Sequence, residues 1–144
     1  MTKTNLQLKL KCWIGFAVTL CCLSSQLRAQ SQHRTIEILA DRDSRYKITG
    51  QKQPLITAKS SEELTLRITA RKAQTQNRDG SIHGLTLLRA RDKKPVDGWD
   101  LLLKPGTHDF DLVAPAEPGE YVIVCTVICS PDHEMMSMRF VVEP

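Results

Sequence analysis

Residues 63–70, ELTLRITA, alternate apolar and polar side chains without a break. Leu64, Leu66, Ile68 and Ala70 share one face; Thr65, Arg67 and Thr69 share the other. A period of two is that of a strand covered on one side, and it excludes an amphipathic helix over the same residues. TIEILA (35–40) repeats the pattern, with Ile36 and Ile38 on one face. Shorter strands are expected at YKITGQ (46–51) and PLITA (54–58), and further strands at IHGLTLLRA (82–90), LLLKPGTHDFDLVAP (101–115, broken by a Pro-Gly turn), EPGEYVIVC (117–125) and SMRFVVEP (137–144). ARKAQTQNRDGS (70–81) and RDKKPVDGWD (91–100) read as loops, the first with an Asp-Gly turn signal. Strand signals thus recur every 8–12 residues or so, with Gly and Pro between them, and no long helical pattern intervenes. About seven strands in one short domain predict an all-β, two-sheet sandwich.

The first 29 residues stand apart. Lys3, Lys9 and Lys11 precede the apolar run CWIGFAVTLCCL (12–23), and SSQLRAQ then offers Ala29 at a cleavage position. That order predicts a secretory signal peptide, residues 1–29. The run is shorter than the roughly 20 residues of a membrane span, so an uncleaved anchor is the alternative. A lipoprotein is disfavoured because no small residue stands immediately before Cys21 or Cys22. Residues 30–34 are then a flexible leader and 35–144 the folded domain. Removing the signal takes four of the twenty basic residues (Lys3, Lys9, Lys11, Arg28) and none of the sixteen acids, leaving sixteen of each sign. A neutral domain gives no electrostatic case for nucleic-acid binding. Membrane contact is expected only through the N-terminal segment, where it is uncleaved.

The signal also holds Cys12, Cys21 and Cys22, so Cys125 and Cys129 are the only cysteines of the domain. They belong to CTVICSPDHEMM (125–136), whose spacing is C-x3-C-x3-H-x2-M through His133 and Met136. The cluster falls between two strands, where a loop can turn several side chains toward one point. Thiolate and thioether are soft donors that favour copper, and imidazole suits it as well. Zinc would accept the cysteines and histidine but not a methionine, and iron–sulfur clusters usually require four thiolates. Among the other histidines, His83 is the best further ligand: it opens a strand and adjoins Gly84, where another backbone can pass closely. His33 lies in the leader, and His108 sits between polar neighbours, facing solvent.

A His-Gly at a strand start, a Pro-Gly turn, PGEYVIVC, the C-x3-C-x3-H-x2-M loop and a closing strand together resemble the copper-A (CuA) domain of subunit II of haem–copper (cytochrome c) oxidases. The resemblance runs from Thr35 to Pro144 and is strongest over Ile82–Val142. It implies a cupredoxin fold, a Greek-key β-sandwich, holding two copper ions. It further implies Cys125 and Cys129 as bridging ligands, His83 and His133 as terminal ligands, Met136 as an axial ligand, and the backbone carbonyl of Val127 as a sixth donor. The function it implies is electron transfer with a redox partner such as a c-type cytochrome or an oxidase subunit, in the periplasm or another extracytoplasmic space. Three departures accompany it: Ser130-Pro131 follow the second cysteine where the family usually has glycine, Asp132 precedes His133 where a small residue is common, and the family's transmembrane hairpin is absent from these residues.

Other readings of the same residues remain. An exported C-x3-C pair forms a structural disulfide by default, or a reversible one that senses redox state. The same soft ligands would serve a protein that holds or delivers Cu(I), or an accessory subunit of a terminal oxidase. Met138 is assigned to the core of the last strand, Met135 to the surface and Trp99 to packing. Asp109 and Asp111 alternate along a strand and read as a solvated face. Ser130 lacks the acid-oriented histidine that a hydrolytic triad needs. Nothing in this set breaks a substrate bond, so catalysis by the chain alone is not expected.

Overall fold

The computed structural model describes residues 33–144, so the expectations of a signal peptide and of leader residues 30–32 lie outside the described residues. Among the described residues nine strands form: β1 (Arg34–Ala40), β2 (Tyr46–Lys47), β3 (Leu55–Lys59), β4 (Glu63–Ala70), β5 (His83–Arg89), β6 (Pro95–Leu103), β7 (Gly106–Val113), β8 (Gly119–Val124) and β9 (Ser137–Glu143). A single 3-10 turn, His133–Met135, is the only helical element among the described residues. Two mixed sheets stack, one ordered β2-β1-β4-β7 and the other β3-β9-β8-β5-β6. β1 runs parallel to β4 and β3 parallel to β9; the remaining pairs are antiparallel. The chain crosses between sheets after β2, β3, β4, β6 and β7, which gives the Greek-key path of the expected sandwich.

The period of two decides what lies between the sheets. Leu64, Leu66 and Ile68 are fully buried along β4, and Met138, Phe140 and Val142 are buried along β9. Trp99 packs edge-on against Phe140, ring centroids 5.1 Å apart, and its Nε1–H donates to the Val113 carbonyl at 2.8 Å. The apolar ring is thus buried with its one polar atom satisfied. Met135 is exposed and His108 lies on the outer face of β7, as their neighbours suggested.

Two strand boundaries differ from the expectation. Residues 91–100 are not one loop: the chain turns through Lys93 (φ 57°) and β6 begins at Pro95. β6 is an edge strand, so proline at its first position forfeits no ladder bond, and its outward Asp97 and Asp100 make an edge strand look like a loop in composition. YKITGQ shrinks to two strand residues, Tyr46 and Lys47.

Register carries the fold into the 125–136 loop. Tyr121 and Ile123 point inward on β8, and Cys125 keeps their phase just past the strand end. β8 and β9 pair through Val124 and Ser137, and the amide of Cys125 donates to the Met136 carbonyl at 3.1 Å, extending that ladder by one step. Cys125 and Met136 are therefore the two posts of the loop, both buried. β5 lies beside β8, so its first residue, His83, meets the same end of the sandwich.

Candidate metal centre

His83, Cys125 and Cys129 offer ligand atoms within 4.8 Å of one another, and all three are buried. The sulfurs stand 4.0 Å apart as free thiols, twice the length of a disulfide bond. The Cys125 thiol donates to the Val127 carbonyl at 3.3 Å, and the amide of Gly84 donates to the Cys125 sulfur at 3.3 Å. Burial pushes the Cys125 thiol up, while the Gly84 amide pulls the other way by favouring the thiolate.

His83 has an orientation that fits a ligand. Its Nε2 is 2.9 Å from the Arg71 carbonyl, which can only accept, so Nε2 holds the ring proton and Nδ1 a lone pair. Nδ1 is a buried side-chain atom with no hydrogen-bond partner. Leaving such an atom unpaired costs about 1–3 kcal/mol, and a cation at Nδ1 would remove that cost. Burial lowers the His83 pKa, with the bond to Arg71 opposing part of the shift, and so favours the neutral ring that a metal ligand needs. The carbonyl holding the far nitrogen is the kind of partner that fixes the ring of a ligating histidine.

The remaining sequence candidates are placed differently. Met136 is fully buried beside Cys125, and Val127 is buried with its carbonyl turned to the Cys125 sulfur. His133, half-buried in the 3-10 turn, stays outside the three-residue group: its Nδ1 is 3.1 Å from the Ser130 carbonyl. The structure therefore brings together one histidine and both thiols, flanked by Met136 and Val127, and holds the second histidine aside.

Several supporting groups carry no signal in the sequence. The amides of Gln74 and Thr75 both donate to the Cys129 carbonyl at 3.1 Å, so the 71–82 loop braces the 125–136 loop. The Tyr46 hydroxyl donates to the Gly84 carbonyl. Ser44 and Ser130 share a buried hydrogen bond of 2.7 Å next to Cys129. Main-chain partners leave no motif, and a serine in a turn looks like any other. Gly84 did have a signal, the His-Gly pair: a Cβ there would stand 2.4 Å from Thr126 Oγ1.

Two soft sulfurs and a neutral imidazole, buried together, suit copper better than hard cations such as magnesium or calcium. No family model matches the chain, and no curated protein matches its sequence. Solved structures do match. One is a chain of a haem–copper terminal oxidase dimer determined by cryo-EM, at TM-score 0.56 and 16% identity over 81% of this chain and 68% of that one. Auracyanin B aligns at TM-score 0.50 and 20% identity over 77% and 89% of the two chains. Auracyanin A, a "blue" copper protein of Chloroflexus aurantiacus, aligns at TM-score 0.50 and 22% identity over 76% and 98%. At these identities the likeness speaks for the fold, and the fold of this chain is that of the cupredoxins.

Proposed function

We propose that this protein is an exported electron carrier whose copper is held by Cys125, Cys129, His83, His133, Met136 and the Val127 carbonyl, with two copper ions per chain. The observation that carries the reading is His83, its Nδ1 orphaned and buried, grouped with two buried thiols, their ligand atoms within 4.8 Å of one another, inside a cupredoxin sandwich. Bound copper would supply a one-electron redox couple. The chain's part is to hold the donors still: strands fix Cys125 and His83, two amides fix the Cys129 backbone, and the core excludes water from the sulfurs. Small ligand movement between redox states keeps electron transfer fast. His133 is the most exposed of the proposed ligand side chains, and its loop also exposes Ile128 and Met135, so this loop marks the side on which a redox protein partner would dock.

Copper titration followed by metal analysis and electron paramagnetic resonance tests this. Two coppers per chain and a mixed-valence signal are expected. Met136→Leu should keep both ions and shift the potential, since a thioether is a weak axial donor. A second reading, a holder or carrier of a single Cu(I), is favoured by one observation: His83, Cys125 and Cys129 already group without His133. One Cu(I) per chain, with no mixed-valence signal under any redox condition, would select it.

Export is proposed on the order of the first 29 residues, and no helix among the described residues is long and apolar enough to cross a membrane. Mass spectrometry of protein recovered from outside the cytoplasm should find a mature chain starting near Gln30. Recovery of intact Met1–Ala29 would point to an anchor instead.

A further inference from the structure

Each thiol of the cluster meets a different hydrogen-bonding group. Cys125 receives the Gly84 amide, a main-chain donor that only a proline would remove. The Cys129 thiol donates to the Ser44 hydroxyl at 3.6 Å, a link in which the hydroxyl becomes the donor once the sulfur binds metal and loses its proton. Ser44 comes from the turn between β1 and β2, in the opposite sheet, and is buried. Its backbone is left-handed, φ 54°, a conformation that costs a residue with a Cβ about 1–2 kcal/mol. The turn is closed by the Ser44 amide on the Asp41 carbonyl, 3.1 Å, and the Asp41 amide on the Arg45 carbonyl, 3.0 Å. Strained, buried and polar, Ser44 touches two side chains of the metal loop: Cys129 and, at 2.7 Å, Ser130, itself buried. The Ser130 hydroxyl in turn accepts from the Asp132 amide at 3.2 Å.

The donors of this chain can be counted. A metal-bound sulfur has no proton and only accepts. Three links then need three donors: Asp132 N–H to Ser130 Oγ, Ser130 O–H to Ser44 Oγ, and Ser44 O–H to the Cys129 sulfur. Three donors are present, enough to fill the three links once a metal takes the place of the Cys129 proton. A protonated Cys129 brings a fourth donor, which takes the Ser44 link in place of the Ser44 hydroxyl or turns to the Cys125 sulfur at 4.0 Å. With Cys129 ligating, the three donors match the three links with none to spare.

Resting on the copper reading above, we propose that Ser44, backed by Ser130, is the positioning residue that orients and polarises Cys129 as a metal ligand. A hydrogen bond to thiolate draws charge from the metal–sulfur bond and favours the reduced metal. Ser130 acts through Ser44 and has the smaller effect.

The test compares Ser44→Ala, Ser44→Gly and Ser130→Ala with wild type in the full mature chain. Both Ser44 variants are expected to lower the midpoint potential and to weaken Cu(I) retention about tenfold in chelator competition. Ser130→Ala should move both quantities the same way by less. Glycine tolerates the left-handed backbone that alanine does not, so Ser44→Gly should melt higher than Ser44→Ala in the metal-free protein while matching it in potential and affinity. That match assigns the effect to the hydroxyl rather than to the turn. A Ser44→Gly protein with wild-type potential and Cu(I) affinity overturns the proposal, whatever its melting temperature. The affinity comparison requires only one bound Cu(I). A wild type that binds a single copper therefore defeats the dinuclear reading while Ser44 is still judged by its own effect; a wild type that retains no Cu(I) overturns both.

Discussion

Cys129→Ser protein is expected to fold as the wild type does and to bind at most one copper per chain, with the mixed-valence signal abolished. Its sulfur is fully buried and 4.0 Å from that of Cys125, so the pair is placed to share metal rather than to serve separate sites. A blue-copper site uses one thiolate with two histidines and a weak axial thioether, and would leave the second cysteine without a role. Two thiolates shared between two ions give both a role, and a serine hydroxyl, hard and protonated at neutral pH, does not substitute as a bridge. The backbone need not move, because Gln74 and Thr75 hold the Cys129 carbonyl through main-chain donors that the substitution leaves intact. The melting temperature of the metal-free variant should therefore stay within a few degrees of wild type, a change of about 1 kcal/mol. Metal analysis gives the stoichiometry and paramagnetic resonance the electronic state. Retention of two coppers with the mixed-valence signal intact would remove Cys129 from the proposed bridge.

What the sequence showed of the sandwich came from parity. Leu64, Leu66 and Ile68 on β4 and Met138, Phe140 and Val142 on β9 all point where a period of two puts them. The same parity, extended one step beyond β8, turns Cys125 inward in phase with Tyr121 and Ile123. Edge strands obscure this signal. β6 buries Trp99 and Leu103 but shows solvent an Asp, a Gly and a second Asp, and the polar side dominated its composition. The supporting groups of the metal loop were hidden for another reason. Arg71, Gly84, Gln74 and Thr75 act through their main chains, which every residue possesses, and Ser44 is distinguished only by a turn that makes its backbone left-handed. His133 has the spacing of a ligand, yet its Nδ1 faces the Ser130 carbonyl; spacing along a loop fixes proximity but not the rotation of a ring.

Gly84→Ala is expected to be the most damaging single-methyl change in the domain, lowering stability by about 3 kcal/mol and the melting temperature by on the order of 10 °C. The added Cβ would stand 2.4 Å from Thr126 Oγ1, 3.0 Å from the Thr126 nitrogen and 3.2 Å from the Val127 nitrogen. The first contact can relax if the threonine rotates, at the expense of the hydrogen bond its hydroxyl shares with that of Thr86 at 3.2 Å. The other two involve backbone and relax only if the start of the metal loop moves away from β5. That movement stretches the Gly84 amide from the Cys125 sulfur and shifts the Val127 carbonyl, so copper affinity should fall along with stability. Thr126 is exposed, and Thr126→Ala alone should cost under about 1 kcal/mol. Combining the two substitutions removes the hydroxyl clash and leaves the backbone one. A double-mutant cycle by thermal and denaturant unfolding should thus show partial rescue, a coupling of about 1 kcal/mol, with the double variant still well below wild type. Full rescue would place the whole constraint in the Thr126 side chain. A Gly84→Ala protein that melts within a degree or two of wild type and keeps its copper affinity would show that β5 and the metal loop do not need so close an approach.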